Sequence, residues 1–378
     1  MKKILQIGKY YPPFHGGMET VLRDLCTGLS KDSEYQTTVL CANHDNMSNF
    51  HDNSITPVII RLKTIATILS QPIMPTFVAV LRKLIEKHDL VHLHSPNPFA
   101  EFFLYFCIGK KPFVITHHSD VVRQKFIAPI HSFFAKALYK KASAIIVPTK
   151  NHIHTSRILR NLDNNIEIIP FGLNTEEMIT SDAIEDSANQ KALSKTPYFL
   201  FVGRLVGYKG LEILVEAMRN VSSPAKVLII GRGEDHDKIQ ALITQYNLQD
   251  RVLMLGRVDS MHEFAAYYKN CRALVLPSVS SNENFGMVQL EAMFYQRPII
   301  TTNLDSGVPV VAEAGVSSLL VEPSNAQQLA NAMNDLLEHP EKAETMGQEA
   351  RKLYDKKYQL HQFVDGHKKL YQRLIGKS

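Results

Sequence analysis

A few short segments of this 378-residue chain carry the residue types that chemistry needs. Glu283 and Glu291 stand with seven residues between them, around Asn284-Phe285-Gly286-Met287-Val288. An apolar run at 271–277 reads as a buried strand and 287–295 reads as a helix without breakers, so the order is strand, loop, helix. The first amides of such a helix lack intrahelical acceptors and suit an anion, phosphate above all. Glu283 then stands in the loop beside whatever the phosphate carries, while Glu291, further along the helix, reaches a hydroxyl-rich neighbour such as a ribose. Taken alone, two glutamates at this spacing are read more simply as a loop acid and a helix-surface acid.

Three other segments raise the weight of the phosphate reading. Gly203-Arg-Leu-Val-Gly-Tyr-Lys-Gly210 follows a strand and puts Arg204 and Lys209 in one loop, where two cations can neutralise a departing diphosphate. Gly16-Gly17 follows a first strand and a Pro-Pro turn, and opens a helix. The pair can present amides to a diphosphate; its plain alternative is a loop needing positive φ at both residues. Thr116-His-His-Ser-Asp120 ends another strand, so a histidine there can hydrogen-bond a hydroxyl, while Asp120 can cap a helix running into Val121. A rival reading joins His92, His94, His117 and His118 as metal ligands, since His92 and His94 share a strand face. Asp235-His-Asp237 matches a short metal-binding pattern but is read better as acids opening a helix. Gly231-Arg-Gly233 lacks the third glycine of a dinucleotide fingerprint.

The elements that hold these segments alternate between short β-rich runs and helical patterns. In the first half the strands fall at 4–8, 37–41, 90–93, 113–116, 144–148 and 166–170, with helices around 20–29, 77–88 and 130–141. A second series opens at 198–203 and continues through strands at 225–231, 252–255, 273–276, 298–301 and 318–321, with helices between them. The polar stretch 174–196 reads as the connection. Alternation of this kind predicts parallel sheets with crossover helices in two doubly wound α/β domains, 1–175 and 196–359, with ligands beyond the carboxyl ends of the strands.

The basic excess lies in the first half: residues 1–160 carry 20 Lys+Arg against 10 Asp+Glu. An anionic surface or acceptor is the expected counterpart, and no nucleic-acid motif accompanies the charge. Cys26, Cys41, Cys107 and Cys271 are scattered in apolar surroundings, which predicts reduced thiols rather than disulfides or a zinc site. No apolar run reaches the roughly 20 residues of a membrane span, and the first residues read as a strand rather than a signal peptide, so the expectation is a cytoplasmic protein. Residues 120–142 interleave Arg123, Lys125, Lys136, Lys140 and Lys141 with Phe126, Ile127, Ile130, Phe133, Phe134, Leu138 and Tyr139. That pattern suits either a helix packed on its own sheet or one lying on an anionic membrane at the inner face.

The glutamate pair with Phe-Gly inside and Glu-Ala-Met at its end resembles the signature of the retaining glycosyltransferases of family 4, which have the GT-B fold. The Pro-x-x-Gly-Gly loop, the Thr-x-His at 116–118 and the Gly-Arg-x-x-x-x-Lys-Gly element are similar to that family's motifs, in order, over nearly the whole chain. The resemblance implies two Rossmann-like domains facing across a cleft, with the last helices, about 360–378, crossing back onto the first domain. It implies transfer of a hexose from a nucleoside diphosphate sugar, without a metal or other cofactor, to a saccharide or lipid-linked acceptor in cell-surface polysaccharide synthesis.

By residue, the resemblance makes His118, Arg204, Lys209 and Glu283 catalytic. It assigns Gly16, Gly17, Gly203, Val258, Asn284, Phe285, Gly286, Met287, Val288 and Glu291 to donor binding, Val258 against the base and Glu291 on the ribose. Asn284 departs from the small residue usual before Phe-Gly. The segment His118-Ser-Asp-Val-Val-Arg-Gln-Lys125 resembles O-antigen and capsule enzymes that use GDP-mannose or related hexoses. Alternatives on the same fold are a UDP-sugar transferase, a sugar phosphorylase and an epimerase; one of another class is an inactive saccharide-binding scaffold.

Overall fold

Runs such as Ile4-Leu5-Gln6-Ile7 and Phe199-Leu200-Phe201 are apolar at nearly every position, as strands covered on both faces must be. The computed structural model describes all residues except 15, 45–49, 53–55, 70, 121–127, 163–164, 177, 179–195, 223 and 377–378. The chain divides into two compact units, Met1–Gly172 with Leu360–Ser378, and Leu173–Gln359.

The first unit contains β1 (Lys2–Ile7), β2 (Tyr35–Ala42), β3 (Phe50–Asp52), β4 (Val58–Leu62), the hairpin β5 (Ala66–Ile68) and β6 (Gln71–Ile73), β7 (Leu90–Ser95), β8 (Phe113–His117), β9 (Ala144–Val147) and β10 (Ile166–Ile168). Its main sheet runs β10-β9-β8-β7-β1-β2-β4-β3, parallel except for β3 against β4. Successive strands move outward from β1 on one side and from β7 on the other, so the order reverses between these two neighbours. Loops that leave β1, β7 and β8 at their carboxyl ends therefore diverge from one place, the position where open α/β sheets bind ligands. Helices Phe77–Lys87, Pro98–Cys107 and Ala128–Lys141 cover one face of the sheet, packing Phe77, Leu81, Leu104 and Leu138 against Leu5, Ile7, Val91 and Ile115. Helix Gly17–Ser30 and the final helix Leu360–Ile375 pack on each other. Gly28 makes that approach possible, since a Cβ there would lie 2.3 Å from Val364 Cγ2.

The second unit is a six-stranded, wholly parallel sheet of β11 (Tyr198–Val202), β12 (Lys226–Ile230), β13 (Val252–Gly256), β14 (Ala273–Leu276), β15 (Ile299–Thr302) and β16 (Ser318–Val321). The order β13-β12-β11-β14-β15-β16 reverses between β11 and β14. Its core joins Phe199, Phe201, Val227, Ile229 and Val275 to Leu214, Ile239 and Met333 from the helices.

Several elements differ from the sequence reading. β3, β4 and the β5–β6 hairpin fill a stretch where the sequence pattern shows no element; β3, β5 and β6 are only three residues long and show no period. Helix Pro98–Cys107 likewise shows no helical period in the sequence, because Pro-Phe-Ala-Glu-Phe-Phe-Leu-Tyr-Phe-Cys is apolar around most of its circumference. Its start is nonetheless written locally: Pro98 takes the first turn and the Asn97 side chain accepts from the Ala100 amide at 3.4 Å. The last two helices of the chain are Pro340–Lys357 and Leu360–Ile375.

The basic amphipathic segment becomes helix Ala128–Lys141, which buries Ala135, Leu138 and Tyr139 in the core and exposes Phe133, Lys136, Lys140 and Lys141. Arg123, Lys125, Phe126 and Ile127 lie outside the described residues, as does most of the connection at 174–196. Among the described residues no helix is long and apolar enough to cross a membrane. All four cysteines are free thiols.

Candidate active site

The second unit brings the loops after β11 and β14 together at its switch point. Gly203 continues β11 with φ +156, followed by a 3₁₀ turn Gly207–Lys209 that Gly210 terminates at φ +71. A Cβ on Gly210 would lie 2.0 Å from the Pro277 carbonyl oxygen, so only glycine lets the two loops meet. The Val279 amide donates to the Tyr208 carbonyl at 2.8 Å and ties them further.

This contact drives the Lys209 ammonium onto the Glu283 carboxylate, an ion pair with each residue 8% exposed. Burial alone depresses the Lys209 pKa, but the Glu283 charge outweighs it, so the pKa is raised and the ammonium stays charged. Ser278 donates to the same Glu283 oxygen at 3.5 Å. Lys209 Nζ lies 3.5 Å from where a Gly203 Cβ would stand. Arg204 is exposed on the same loop, and its charge acts on Lys209. Two cations and one carboxylate leave this cluster net positive.

The glutamate loop then turns at Gly286, φ +71, with Phe285 buried against Tyr358. Gln289 donates to the Phe285 carbonyl at 2.8 Å and holds the turn from inside. Helix Val288–Phe294 follows, and among the described residues no side chain caps it. Among the described residues the backbone amides of Gly286, Met287 and Val288 have no backbone acceptor outside that helix. Glu291 accepts from the buried Tyr268 hydroxyl at 2.6 Å, so it stands on the helix already oriented. Asn284 is half-buried beside Glu283. Val258 is half-buried after Gly256, which takes φ +68, while Arg257 beside it pairs with Asp259. Arg204, Lys209, Glu283 and the 286–288 amides are thus gathered by two adjacent loops; Glu291 and Val258 sit on neighbouring elements of the same unit.

In the first unit Gly16 precedes helix Gly17–Ser30 with φ −172, and neither glycine has positive φ, contrary to the plain loop reading. Gly16 has an internal reason: its Cβ would meet Glu19 Oε2 at 2.2 Å, where the third helical residue folds back over the helix start. Gly17 is exposed and its Cβ would meet nothing within 4 Å, so nothing within the fold demands glycine there.

His118 follows β8. Its Nε2 lies 3.0 Å from His94 Nδ1, and its ring stacks on Phe171 at 5.1 Å. Burial, then the neighbouring histidines, hold its pKa well below the ordinary value. The four-histidine metal reading fails on direction. His117 turns to the opposite face, where its Nδ1 lies 2.8 Å from the Tyr139 hydroxyl and its Nε2 3.5 Å from Asp120. Among the described residues no cluster of metal-binding side chains forms. The helix start expected at Val121 lies outside the described residues; Asp120 accepts from Ser156 Oγ and the Arg157 amide, both at 2.7 Å. Asp235 precedes helix His236–Gln245, as acids opening a helix should. Residues the sequence reading missed are Ser278, Tyr268, Gln6 and Phe171. Tyr268, Gln6 and Phe171 act through contacts with residues distant along the chain, which no local pattern marks, and Ser278 acts on Glu283 five residues on.

With this geometry in place, residues 15–177 match the Glycosyltransferase Family 4 domain and residues 182–353 match the Glycosyl transferases group 1 domain. The chain belongs to the family 4 glycosyltransferases. It is 25% identical over 377 residues to the O-antigen chain mannosyltransferase C of Escherichia coli, covering 99% of each chain. It is 28% identical over 341 residues to the D-rhamnosyltransferase WbpZ of Pseudomonas aeruginosa, covering 90% of this chain and 87% of that one. Sucrose-phosphate synthase from Thermosynechococcus elongatus superposes with a TM-score of 0.81 at 22% identity, covering 100% of both chains, which is the GT-B fold. The glycosyltransferase is therefore an enzyme that moves a hexose, and it resembles the O-antigen enzymes.

Proposed function

We propose that this glycosyltransferase takes a hexose from a nucleoside diphosphate sugar, with GDP-mannose or a related sugar nucleotide as donor, and transfers it with retention of configuration to a saccharide or lipid-linked acceptor. The observation that carries the reading is the gathering of Arg204, Lys209, Glu283 and the amides of Gly286–Val288 at the switch point of the second sheet. The name of the mannosyltransferase relative supports mannose as the sugar.

The acceptor hydroxyl oxygen attacks the anomeric carbon on the face from which the diphosphate leaves, and its proton passes to the departing phosphate oxygen. Charge develops on that phosphate, and Arg204 and Lys209 stabilise it where they stand, so no metal is needed for the purpose. Glu283 takes one of the three N–H donors of Lys209; two remain for phosphate oxygens. The 286–288 amides and the open backbone at Gly17 receive the diphosphate from their respective loops. Glu283 also binds sugar hydroxyls, contacts that tighten as the sugar becomes oxocarbenium-like. Glu291, pre-oriented by Tyr268, binds the ribose, and Val258 lies against the base. His118 hydrogen-bonds a donor-sugar hydroxyl. Exposed Phe102, Phe106 and Phe133 with Lys136, Lys140 and Lys141 favour contact with an anionic membrane at the cytoplasmic face, which suits a lipid-linked acceptor.

A thermal-shift series with UDP, GDP, ADP and their hexose conjugates, with and without EDTA and with Arg204→Ala in parallel, tests the reading. A ligand that binds only the native state raises the melting temperature by mass action. The expected result is stabilisation by one guanosine conjugate, unchanged by EDTA and lost in the variant. Stabilisation by none of them favours the scaffold.

A further inference from the structure

The first unit buries a line of polar groups that the transfer chemistry as described does not use. Gln6 on β1, His92 and His94 on β7, Thr116 on β8 and Tyr371 on the final helix are each no more than 1% exposed. The His92 and His94 rings stack at 4.5 Å, and His94 stacks on His118 at 5.3 Å. Burying five such groups where apolar side chains would pack as well is costly unless each donor meets an acceptor.

The hydrogen bonds meet that condition in one direction. The Gln6 amide nitrogen donates to the Tyr371 hydroxyl at 3.2 Å, and Tyr371 shares a hydrogen bond with His92 Nδ1 at 2.6 Å. His92 Nε2 shares another with Thr116 Oγ1 at 2.7 Å. On the other side, Gln6 Oε1 can only accept, so the proton in its 3.1 Å contact with His94 belongs to His94 Nε2. Burial pulls the His94 pKa down to about 3, so the ring is neutral and its Nδ1 carries a lone pair. The proton in the 3.0 Å contact between His94 Nδ1 and His118 therefore belongs to His118 Nε2.

We propose that Gln6 and His94 are positioning residues for the transfer, holding His118 as the Nε2–H tautomer so that its Nδ1 serves as a hydrogen-bond acceptor for a donor-sugar hydroxyl. The assignment rests on the reading above that His118 touches the donor sugar. Phe171 fixes the plane of the His118 ring by stacking, and the relay through Gln6 and Tyr371 fixes which nitrogen bears the proton. Gln6, His94 and Tyr371 are buried, so solvent offers them no alternative partner, while the half-buried His118 stands at the end of the line.

The test uses the full chain labelled with 15N-histidine, with long-range proton–nitrogen correlation at about pH 7.5 and His118 identified by its loss in His118→Ala. The wild type is expected to show His118 protonated at Nε2 alone, and Gln6→Leu to admit the Nδ1–H form. Tyr371→Phe, which breaks the same relay with less change in shape, gives a second reading should Gln6→Leu fold poorly. Turnover is measured with GDP-mannose, or with whichever UDP- or ADP-hexose stabilises the protein. Gln6→Leu is expected to lower kcat about tenfold, one lost transition-state hydrogen bond, with donor KM little changed. In a His118→Ala background the same substitution should then cost nothing further. An Nδ1–H His118 in the wild type, a tautomer unmoved by both variants, or an additive loss in the double variant overturns the proposal. Wild-type transfer by His118→Ala overturns the role given to His118 above, and this one with it.

Discussion

Lowering the pH to about 5 should unfold the first unit, because that unit buries its histidines as neutral rings. His94 and His152 are held down to about 3 and His367 to about 4, in each case chiefly by burial, against an ordinary value of 6.5. All three are at most 1% exposed. The folded pKa lies below the unfolded one, so the unfolded chain takes up protons first as pH falls. Their contribution is fully present above about 6.5 and is lost between there and about 3. At about pH 5 each unfolded histidine gains RT ln(1 + 10^1.5), about 2 kcal/mol, which the native ring forgoes. Three of them sum to about 6 kcal/mol, the size of a whole domain's stability. His92, His117 and His118 shift in the same direction and deepen the loss.

The assay is urea unfolding followed by circular dichroism at half-unit steps between about pH 7.5 and 5. From His94, His152 and His367 alone the slope should approach three protons taken up on unfolding, about 4 kcal/mol per pH unit, in the lower half of that range, and His92, His117 and His118 steepen it. Asp32 and Asp335, whose pKa values are lowered by Lys368 and Lys342, act only below it. A slope below one proton, or stability that rises toward pH 5, would refute the claim that these rings are neutral in the native state.

Glu283→Gln should destabilise the second unit by about 3 kcal/mol in chemical denaturation, since it strands a buried ammonium, and Glu283→Gln with Lys209→Met should cost less than the sum of the singles. Gly17→Ala should leave the melting temperature unchanged or slightly raised while weakening nucleotide stabilisation. Gly210→Ala, with φ +71 and a carbonyl 2.0 Å from the new Cβ, should lower stability outright. Tyr268→Phe removes one hydrogen bond to a charged group, about 2 kcal/mol, and should raise donor KM more than it lowers kcat, because Glu291 loses its orientation but the leaving-group cations do not.

The sequence alone determined the alternation of strands and helices, because runs such as 198–203 and 273–276 are apolar throughout and the segments between them carry helical periods. It also placed Arg204, Lys209, Glu283, Gly286 and His118 just beyond strands or in the loops that follow them, and Glu291 on the helix after its loop, where motif and element boundary coincide. Periodicity failed at β3, which is only three residues long, and at helix Pro98–Cys107, which has little polar face to betray its turn. Strand order could not be read locally, and it is the reversal between β11 and β14 that makes two loops some seventy residues apart adjacent. Only the tertiary structure turned Lys209 from one of two loop cations into the partner of Glu283, and separated His117 from His118 by sending them to opposite faces. Gln6, 112 positions before His118, has no sequence mark at all. Its role comes from sheet register, which lays β1, β7 and β8 side by side so that an amide, an imidazole and a site histidine fall on one face within hydrogen-bonding distance.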